Sequence, residues 1–290
     1  MNDQFIKGTN DNVIYCTSVC NNRCIMCCQP PKADDSAYHY NKNMKLIQNS
    51  PSDIDYVCIT GGEPTLSGEY LFEYMSKIWD KMPECSIHLL SNGRLFADTS
   101  FLELFDKNVK GKICIGIPLH SDNYIDHDYI AGCHGAFYET IKGLHNLGIL
   151  KYEIELRVIL LKQNISRLPQ MAQFIIKNLP FVSQVSFMGL EIIGNAEKSY
   201  DKINVEPNEY YHLLNKAIIA LESCGINTRL FNIPLCLLPK NLWKYCCKSI
   251  SEWKKTNIIK CKECRQIENC CGIFATSKIV SKNLSPIITD

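Results

Sequence analysis

The stretch Val13-Ile-Tyr-Cys-Thr-Ser-Val-Cys20-Asn-Asn-Arg-Cys24-Ile-Met-Cys27 joins a short apolar run to three closely spaced cysteines. The β-branched start predicts a first β-strand, and the cysteines follow it in a C-x3-C-x2-C pattern. Ligand sites of open α/β sheets and barrels lie at the carboxyl ends of strands. This loop is therefore the first candidate site of the chain.

Outward from that stretch, short β-branched runs alternate with longer segments of helical periodicity as far as about residue 230. This alternation is typical of repeated βα units on a parallel sheet. Strands are predicted at 13–17, 56–60, 86–91, 112–119, 152–161, 184–190 and 227–232, and helices at 68–81, 137–147, 169–178 and 207–224. We predict an α/β fold, a partial (β/α)6 TIM-like barrel over residues 1–230 followed by a small C-terminal iron-sulfur extension over 231–290.

Composition argues against two classes of partner. The chain has 31 Lys plus Arg against 30 Asp plus Glu, and this formal net charge of +1 gives no electrostatic reason to bind a nucleic-acid backbone. No apolar run approaches the roughly 18–20 residues of a membrane span, and the polar N-terminus does not resemble a signal peptide. We expect a cytoplasmic protein with no nucleic-acid and no membrane partner.

Seventeen cysteines are concentrated near the two ends of the chain. Five fall between Cys16 and Cys28, and seven fall between Cys236 and Cys271. Reducing compartments keep thiols reduced, so metal or cluster ligation explains these groups better than disulfides do. The five scattered cysteines are interpreted as core residues: Cys58, Cys85, Cys114, Cys133 and Cys224.

The N-terminal triplet of Cys20, Cys24 and Cys27 suits an iron-sulfur cluster. A 4Fe-4S cluster takes one thiolate at each iron, so three thiolates leave the fourth iron open to another ligand. The alternative is a zinc site completed by Cys16 or Cys28, although zinc sites favour paired C-x2-C spacings.

Gly61-Gly62-Glu63-Pro64 follows the second predicted strand, where the two glycines allow close backbone approach. This turn and the triplet one βα unit earlier together resemble the radical S-adenosylmethionine superfamily. The resemblance implies that the triplet carries a 4Fe-4S cluster and that the turn contacts the methionine amino group of S-adenosylmethionine. It also implies that Ser91 and Asn92, after the third strand, lie near this cofactor.

The resemblance further implies an activity. Reduced by an external electron donor, such an enzyme cleaves S-adenosylmethionine to a 5'-deoxyadenosyl radical, which abstracts hydrogen from the substrate. That step requires no side chain as acid or base, so we assign no catalytic side chain. The sequence departs from the usual superfamily pattern at Met26, where an aromatic residue more often precedes the third cysteine.

The fifth predicted strand places Glu153, Glu155 and Arg157 on one face and apolar residues on the other. Helices cover one face of a barrel strand, so we expect the charged face to line the cavity. Glu155 and Arg157 are accordingly candidates for contact with the cofactor. The alternative is a charged face at a solvated edge of the sheet.

A second cysteine group, Cys261, Cys264 and Cys270, has C-x2-C-x5-C spacing, with Cys236 upstream. Four thiolates complete the ligand set of a 4Fe-4S cluster. The arrangement resembles the SPASM and twitch extensions of peptide-modifying radical enzymes, in the form with one auxiliary cluster. A structural zinc held by the same thiols is the alternative. The fourth ligand stays open among Cys236, Cys246, Cys247 and Cys271.

Further motifs narrow the resemblance to the shorter radical enzyme of the His-Xaa-Ser system. They include Leu90-Ser-Asn-Gly-Arg94, Gly116-Ile-Pro-Leu119, His127-Asp-Tyr-Ile130 and Met188-Gly-Leu-Glu191. The resemblance implies modification of a small protein or peptide, with a second radical enzyme of the same system as a further partner. Two alternatives are a radical enzyme acting on a small molecule such as a nucleotide, and a non-enzymatic zinc-binding scaffold. A single inward arginine, Arg157, disfavours the former, and the Gly-Gly-Glu-Pro turn disfavours the latter.

Overall fold

The structure is a computed structural model that describes residues 3–33, 36–248 and 252–288. Its seven-stranded sheet has its strands in sequence order, and the pairs β1–β2, β2–β3, β3–β4 and β6–β7 are parallel. The strands are β1 (Val13–Tyr15), β2 (Tyr56–Thr60), β3 (Ser86–Leu90), β4 (Ile113–Pro118), β5 (Glu153–Ile159), β6 (Gln184–Met188) and β7 (Asn227–Phe231). The predicted α/β class and partial-barrel sheet are confirmed, and β7, which follows the six βα units, is the strand predicted at 227–232.

Helices connect the strands in the manner of a βα protein. They are α1 (Ser36–Asn49), α2 (Glu69–Lys81), α3 (Thr99–Asn108), α4 (Tyr124–Ala131), α5 (Ala136–Ile149), α6 (Leu168–Asn178), α7 (Asn195–Lys198), α8 (Tyr200–Ile203) and α9 (Pro207–Ser223). A two-stranded antiparallel sheet follows, formed by β8 (Lys255–Thr256) and β9 (Ile273–Phe274).

The chain divides into two compact units. The first unit comprises Met1–Arg23, Gln29–Pro118 and Cys133–Glu155, and the second comprises Cys24–Cys28, Leu119–Gly132 and Leu156–Asp290. The predicted boundary between residues 230 and 231 separates two functional parts of the chain, whereas these units are defined by compactness alone. The boundary therefore stays a prediction. Residues 249–251 and 289–290 of the predicted extension lie outside the described part of the chain.

In the first unit, alternate strand residues face a layer of helices and are almost fully excluded from solvent. These residues are Val57, Ile59, Ile87, Leu89, Ile115 and Ile117. Helix α3 contributes an aromatic cluster, in which the Phe105 ring lies 4.9 Å from that of Phe96 and 5.7 Å from that of Tyr152. Asp98 begins α3 by accepting a hydrogen bond from the Phe101 N–H, as an N-cap residue does.

In the second unit, α6 and α9 contribute their apolar residues to the core around β6 and β7, where Val185 and Phe187 are buried. A capping box formed by Glu206 and Glu209 begins α9, and Gly225, with φ +77°, follows its end. Beyond β7, the described residues form short 3-10 turns and the small β8–β9 sheet. This part has little extended hydrogen-bonded structure of its own.

No helix in the described ranges is long and apolar enough to cross a membrane.

Phe105→Ala is predicted to lower the free energy of unfolding by about 3–5 kcal/mol, because it empties a fully buried aromatic site. Leu104→Ala is the matched control, since Leu104 lies on the same helix and is 47% exposed. Urea unfolding followed by circular dichroism measures both values. Equal losses in the two variants would contradict the assigned packing.

Candidate functional site

The cysteine loop that follows β1 enters both compact units. Cys20 belongs to the first unit, while Cys24 and Cys27 belong to the second. Each end of the loop is therefore described with the unit that holds it.

The Gly61-Gly62 turn packs its backbone directly against the residues that lead into Cys20. The Gly62 N–H donates to the Thr17 carbonyl at 2.6 Å, and the next N–H, of Glu63, donates to the Val19 carbonyl at 2.8 Å. A Cβ atom on Gly62 would lie 2.3 Å from the Val19 carbonyl oxygen. The two glycines are required here because no side chain fits between these backbones.

Glu63 is fully buried, and its carboxylate joins two turns of the first unit. One oxygen accepts hydrogen bonds from the Thr65 N–H, the Thr65 hydroxyl and, at 2.8 Å, the Ser91 hydroxyl. The other accepts the Asn92 N–H at 2.6 Å. Burial raises the pKa of Glu63, while these hydrogen bonds act to lower it. Pro64, also buried, begins the 3-10 turn that Glu63 caps.

Ser91 and Asn92, which were predicted to lie near the cofactor, thus form hydrogen bonds with other groups of the protein. Asn92 also donates from its side-chain amide to the Asn21 Oδ1 at 2.6 Å. Arg94 follows in the same turn, and its Nη1 donates to the Asn21 carbonyl and to the Asn22 Oδ1, each at 2.7 Å. The turn after β3 therefore holds the residues that follow Cys20.

The Cys20 thiol lies among hydrogen-bond donors. Its Sγ accepts the Asn22 N–H at 3.3 Å. Burial raises the pKa of Cys20, and the Asn22 and Asn92 donors and the Arg94 charge oppose that rise. Because such donors stabilise a thiolate, the surroundings of Cys20 suit an iron ligand.

In the second unit, the segment of Cys24 and Cys27 is held through its backbone. Asn195 donates from its side chain to the Cys24 carbonyl at 3.0 Å and from its N–H to the Cys27 carbonyl at 2.9 Å. Gly194 allows this approach, since a Cβ there would lie 2.7 Å from the Cys27 oxygen. These contacts hold the backbone of the segment in place through the carbonyl groups of the two cysteines and do not use their thiols.

Glu155 on β5 is buried and belongs to a polar network that the sequence interpretation missed. The His88 Nε2 lies 3.0 Å from the Glu155 Oε2, although the ring N–H is not aligned for a hydrogen bond. The His88 Nδ1 lies 3.2 Å from the Tyr56 hydroxyl. Arg157 is half-buried two positions further along β5. Alternation along β3 was the available signal, because it places His88 on the face opposite Ile87 and Leu89.

The four thiols of the predicted C-terminal set line one cavity in the second unit. They belong to Cys236, Cys261, Cys264 and Cys270. Much of the remaining lining is apolar and includes Pro234, Ile258, Ile267, Ile273, Leu284 and Ile287. A common cavity with thiols on its walls and apolar surroundings suits a cluster that takes one thiolate at each iron.

Backbone N–H groups point at several of these sulfurs. The Ile287 N–H donates to the Cys264 Sγ and the Gly272 N–H donates to the Cys270 Sγ, each at 3.4 Å. Hydrogen bonding, with Cys271 and from backbone N–H groups, lowers the pKa of Cys270 and opposes the effect of its burial. These donors favour thiolates, the form in which cysteine binds metal.

The other candidate thiols, Cys246, Cys247 and Cys271, do not line this cavity. Burial raises the pKa of Cys246 to about 12. Within the described ranges, no three His, Cys, Asp or Glu side chains meet as they do around a single metal ion.

Residues 14–175 match the model of the radical SAM superfamily, over more than half of the chain. The chain therefore belongs to the radical SAM superfamily, a class of enzymes. Membership implies a 4Fe-4S cluster and S-adenosylmethionine as cofactors, and the donors around Cys20 fit such a ligand. No curated protein sequence matches the chain significantly.

Solved structures share this fold at low sequence identity. SuiB from Streptococcus suis superposes with a TM-score of 0.58 at 16% identity, over 75% of this chain and 48% of that one. anSMEcpe with bound AdoMet and the Cp18Cys peptide gives 0.57 at 16% identity, over 75% and 62%. A radical SAM methyltransferase from Sphaerobacter thermophilus gives 0.52 at 13% identity, over 75% and 64%. This chain thus covers less than two thirds of each of these proteins.

Gly62→Ala is predicted to prevent normal assembly of the cysteine loop, because the added methyl group would push the Val19 backbone away. After anaerobic reconstitution, iron analysis should show about four irons fewer per chain than in the wild type. Gly225→Ala is the control: it carries the strain of a positive φ, yet no atom lies within 4 Å of the added group. Equal iron in the two variants would contradict the prediction.

Proposed function

We propose that this chain is a radical SAM enzyme that modifies a small protein or peptide, as a maturase of a His-Xaa-Ser system. Family membership supports the radical chemistry. The observation that carries the assignment of the site is the packing of Gly62 and Glu63 against Thr17 and Val19, which joins the cofactor turn to the cysteine motif.

In this proposal, Cys20, Cys24 and Cys27 hold the 4Fe-4S cluster. When bound, the cluster and S-adenosylmethionine supply the 5'-deoxyadenosyl radical that abstracts hydrogen from the substrate. The backbone of Gly61 and Gly62 binds the methionine end of the cofactor. The buried side chains of Glu63, Ser91 and Asn92 act by orienting that backbone, since their polar groups already have partners within the protein.

Glu155 and Arg157 are proposed to face the bound cofactor from β5. The alternation of that strand supports this, because Ile154, Leu156 and Val158 are fully buried on its other face. The adjacent His88 and Tyr56 extend the polar surface on the same side of the sheet.

The auxiliary 4Fe-4S cluster is proposed for Cys236, Cys261, Cys264 and Cys270, within a twitch-like or SPASM-like domain over 231–290. The shared cavity and the N–H donors to the sulfurs support this ligand set. Cys236 is the proposed fourth ligand, because Cys246, Cys247 and Cys271 lie outside the cavity lining.

The peptide substrate is supported by the fold of anSMEcpe, which has been crystallised with AdoMet and peptides. The second radical enzyme of the system and an external electron donor are proposed partners, and a nucleotide or other small substrate is the competing possibility.

Cys24→Ala is predicted to abolish formation of 5'-deoxyadenosine, because one of three cluster ligands is lost. Cys28→Ala, a neighbour outside the C-x3-C-x2-C motif, should retain it. Chromatography of reactions with dithionite and S-adenosylmethionine measures the product. Full activity of the Cys24 variant would refute the mechanism.

Cys264→Ala is predicted to lose about half of the roughly eight irons per chain expected for two clusters, and to keep uncoupled cofactor cleavage. Cys224→Ala is the control, since Cys224 lies outside both groups and is exposed, so that its interpretation as a core residue was wrong. Iron and zinc analysis of reconstituted protein measures the loss. Unchanged iron, or zinc bound in its place, would refute the auxiliary cluster.

A further inference from the structure

We infer that Arg94 is a positioning residue for the cluster: its guanidinium holds the loop after Cys20 so that donors from Asn22 and Asn92 meet the Cys20 sulfur. This inference rests on the proposed role of Cys20 as an iron ligand. It adds a residue outside the predicted ligand and cofactor sets and assigns it an effect on the cluster's reduction potential.

Arg94 is fixed at both ends of its guanidinium. Its Nη1 donates to the Asn21 carbonyl and to the Asn22 Oδ1, both at 2.7 Å. Its Nε donates to the Glu139 Oε2 on α5 at 2.6 Å, and its side chain is only 11% exposed. Asn21 and Asn22 are the two residues that directly follow Cys20. The arginine therefore ties the interior of the cysteine motif to a helix.

The turn that contains Arg94 also fixes the orientation of Asn92. The backbone N–H of residue 94, which every variant at this position keeps, donates to the Asn92 Oδ1 at 3.0 Å, so the oxygen side of this amide is directed at the turn. The NH2 side is thereby directed at the loop, where it donates to the Asn21 Oδ1 at 2.6 Å and acts to lower the pKa of Cys20. A single turn thus supplies one donor to the sulfur directly and keeps a second, the Asn22 N–H, in place.

Hydrogen bonds and positive charge near a cluster sulfur stabilise the reduced cluster, which carries the extra negative charge, and so raise its reduction potential. The Arg94 charge is largely buried, where it is screened less than on the surface. Loss of the Arg94 side chain removes this charge and releases Asn21, which accepts from Asn92, and Asn22, whose N–H donates to the sulfur. Both effects make the cluster harder to reduce.

An ordinary ion pair between Arg94 and Glu139 is the simpler explanation of this arginine. Glu139 is 50% exposed at its side chain, and an exposed pair contributes little to stability. Glu139→Gln would remove the pair and leave the contacts of Nη1 intact. The positioning role predicts a small change in potential for that variant.

The test is a redox titration of reconstituted full-length protein with S-adenosylmethionine, followed by the electron paramagnetic resonance signal that responds to this cofactor. Arg94→Gln should shift the reduction equilibrium tenfold towards the oxidised cluster, which corresponds to about 59 mV for one electron. Arg94→Lys keeps the charge and should recover part of the shift. Arg23→Gln removes an equal charge from an exposed position of the same loop and should shift the equilibrium less than threefold.

Absence of a cofactor-sensitive signal in the wild type would refute the proposed function itself. With that signal present, a wild-type potential in Arg94→Gln would overturn the positioning role. Equal shifts in Arg94→Gln and Arg23→Gln would also overturn it, since they would reduce the effect to charge alone. Should Arg94→Gln not fold, a potential for Arg94→Lys lowered by less than the tenfold equivalent supports the role, and an unchanged one overturns it.

Discussion

The buried carboxylate of Glu63 is the interaction on which the first unit's candidate site depends. It accepts hydrogen bonds from two donors in its own turn and from two in the turn after β3, and so joins these two turns. Leaving a buried hydrogen-bond donor without its acceptor typically costs about 1–3 kcal/mol. The same turn contacts the backbone after β1 through Gly62. The Glu63 side chain therefore helps to position the start of the cysteine loop, through the turn that it stabilises.

The fold was largely predictable because strand and helix periods are local properties of the sequence. All seven strands begin within one residue of the predicted start, and the ends of β1, β5 and β6 were placed two residues too late. Helices α1, α3 and α4 and the short helices α7 and α8 were not predicted. In α1, Tyr, His and Asn are mixed through the sequence Ser36–Asn49, which has no acidic residue in its first turn and no basic residue in its last. Such a helix is specified more by what it packs against than by its own pattern.

The candidate site was predictable only where motif spacing carries it. The positions of the cysteines and of the Gly-Gly-Glu-Pro turn followed from spacing and from their places after strands. The hydrogen-bond partners of Ser91 and Asn92 could not be predicted in this way, because they lie about 28 and 70 residues away in the sequence. The pairing of His88 with Glu155 was hidden for the same reason. Contacts between residues far apart in the sequence produce no local periodic pattern from which they could be predicted.

The described residues beyond β7 have a different kind of order from the rest of the chain. Their regular structure consists of two two-residue strands and short 3-10 helices, while four of their cysteines line one cavity. Segments without strand ladders or long helices tolerate insertions and deletions well. Related chains should therefore vary in length between these cysteines and still bring the sulfurs together. In such a region, homology is better recognised by the order of the cysteines than by aligned hydrophobic positions.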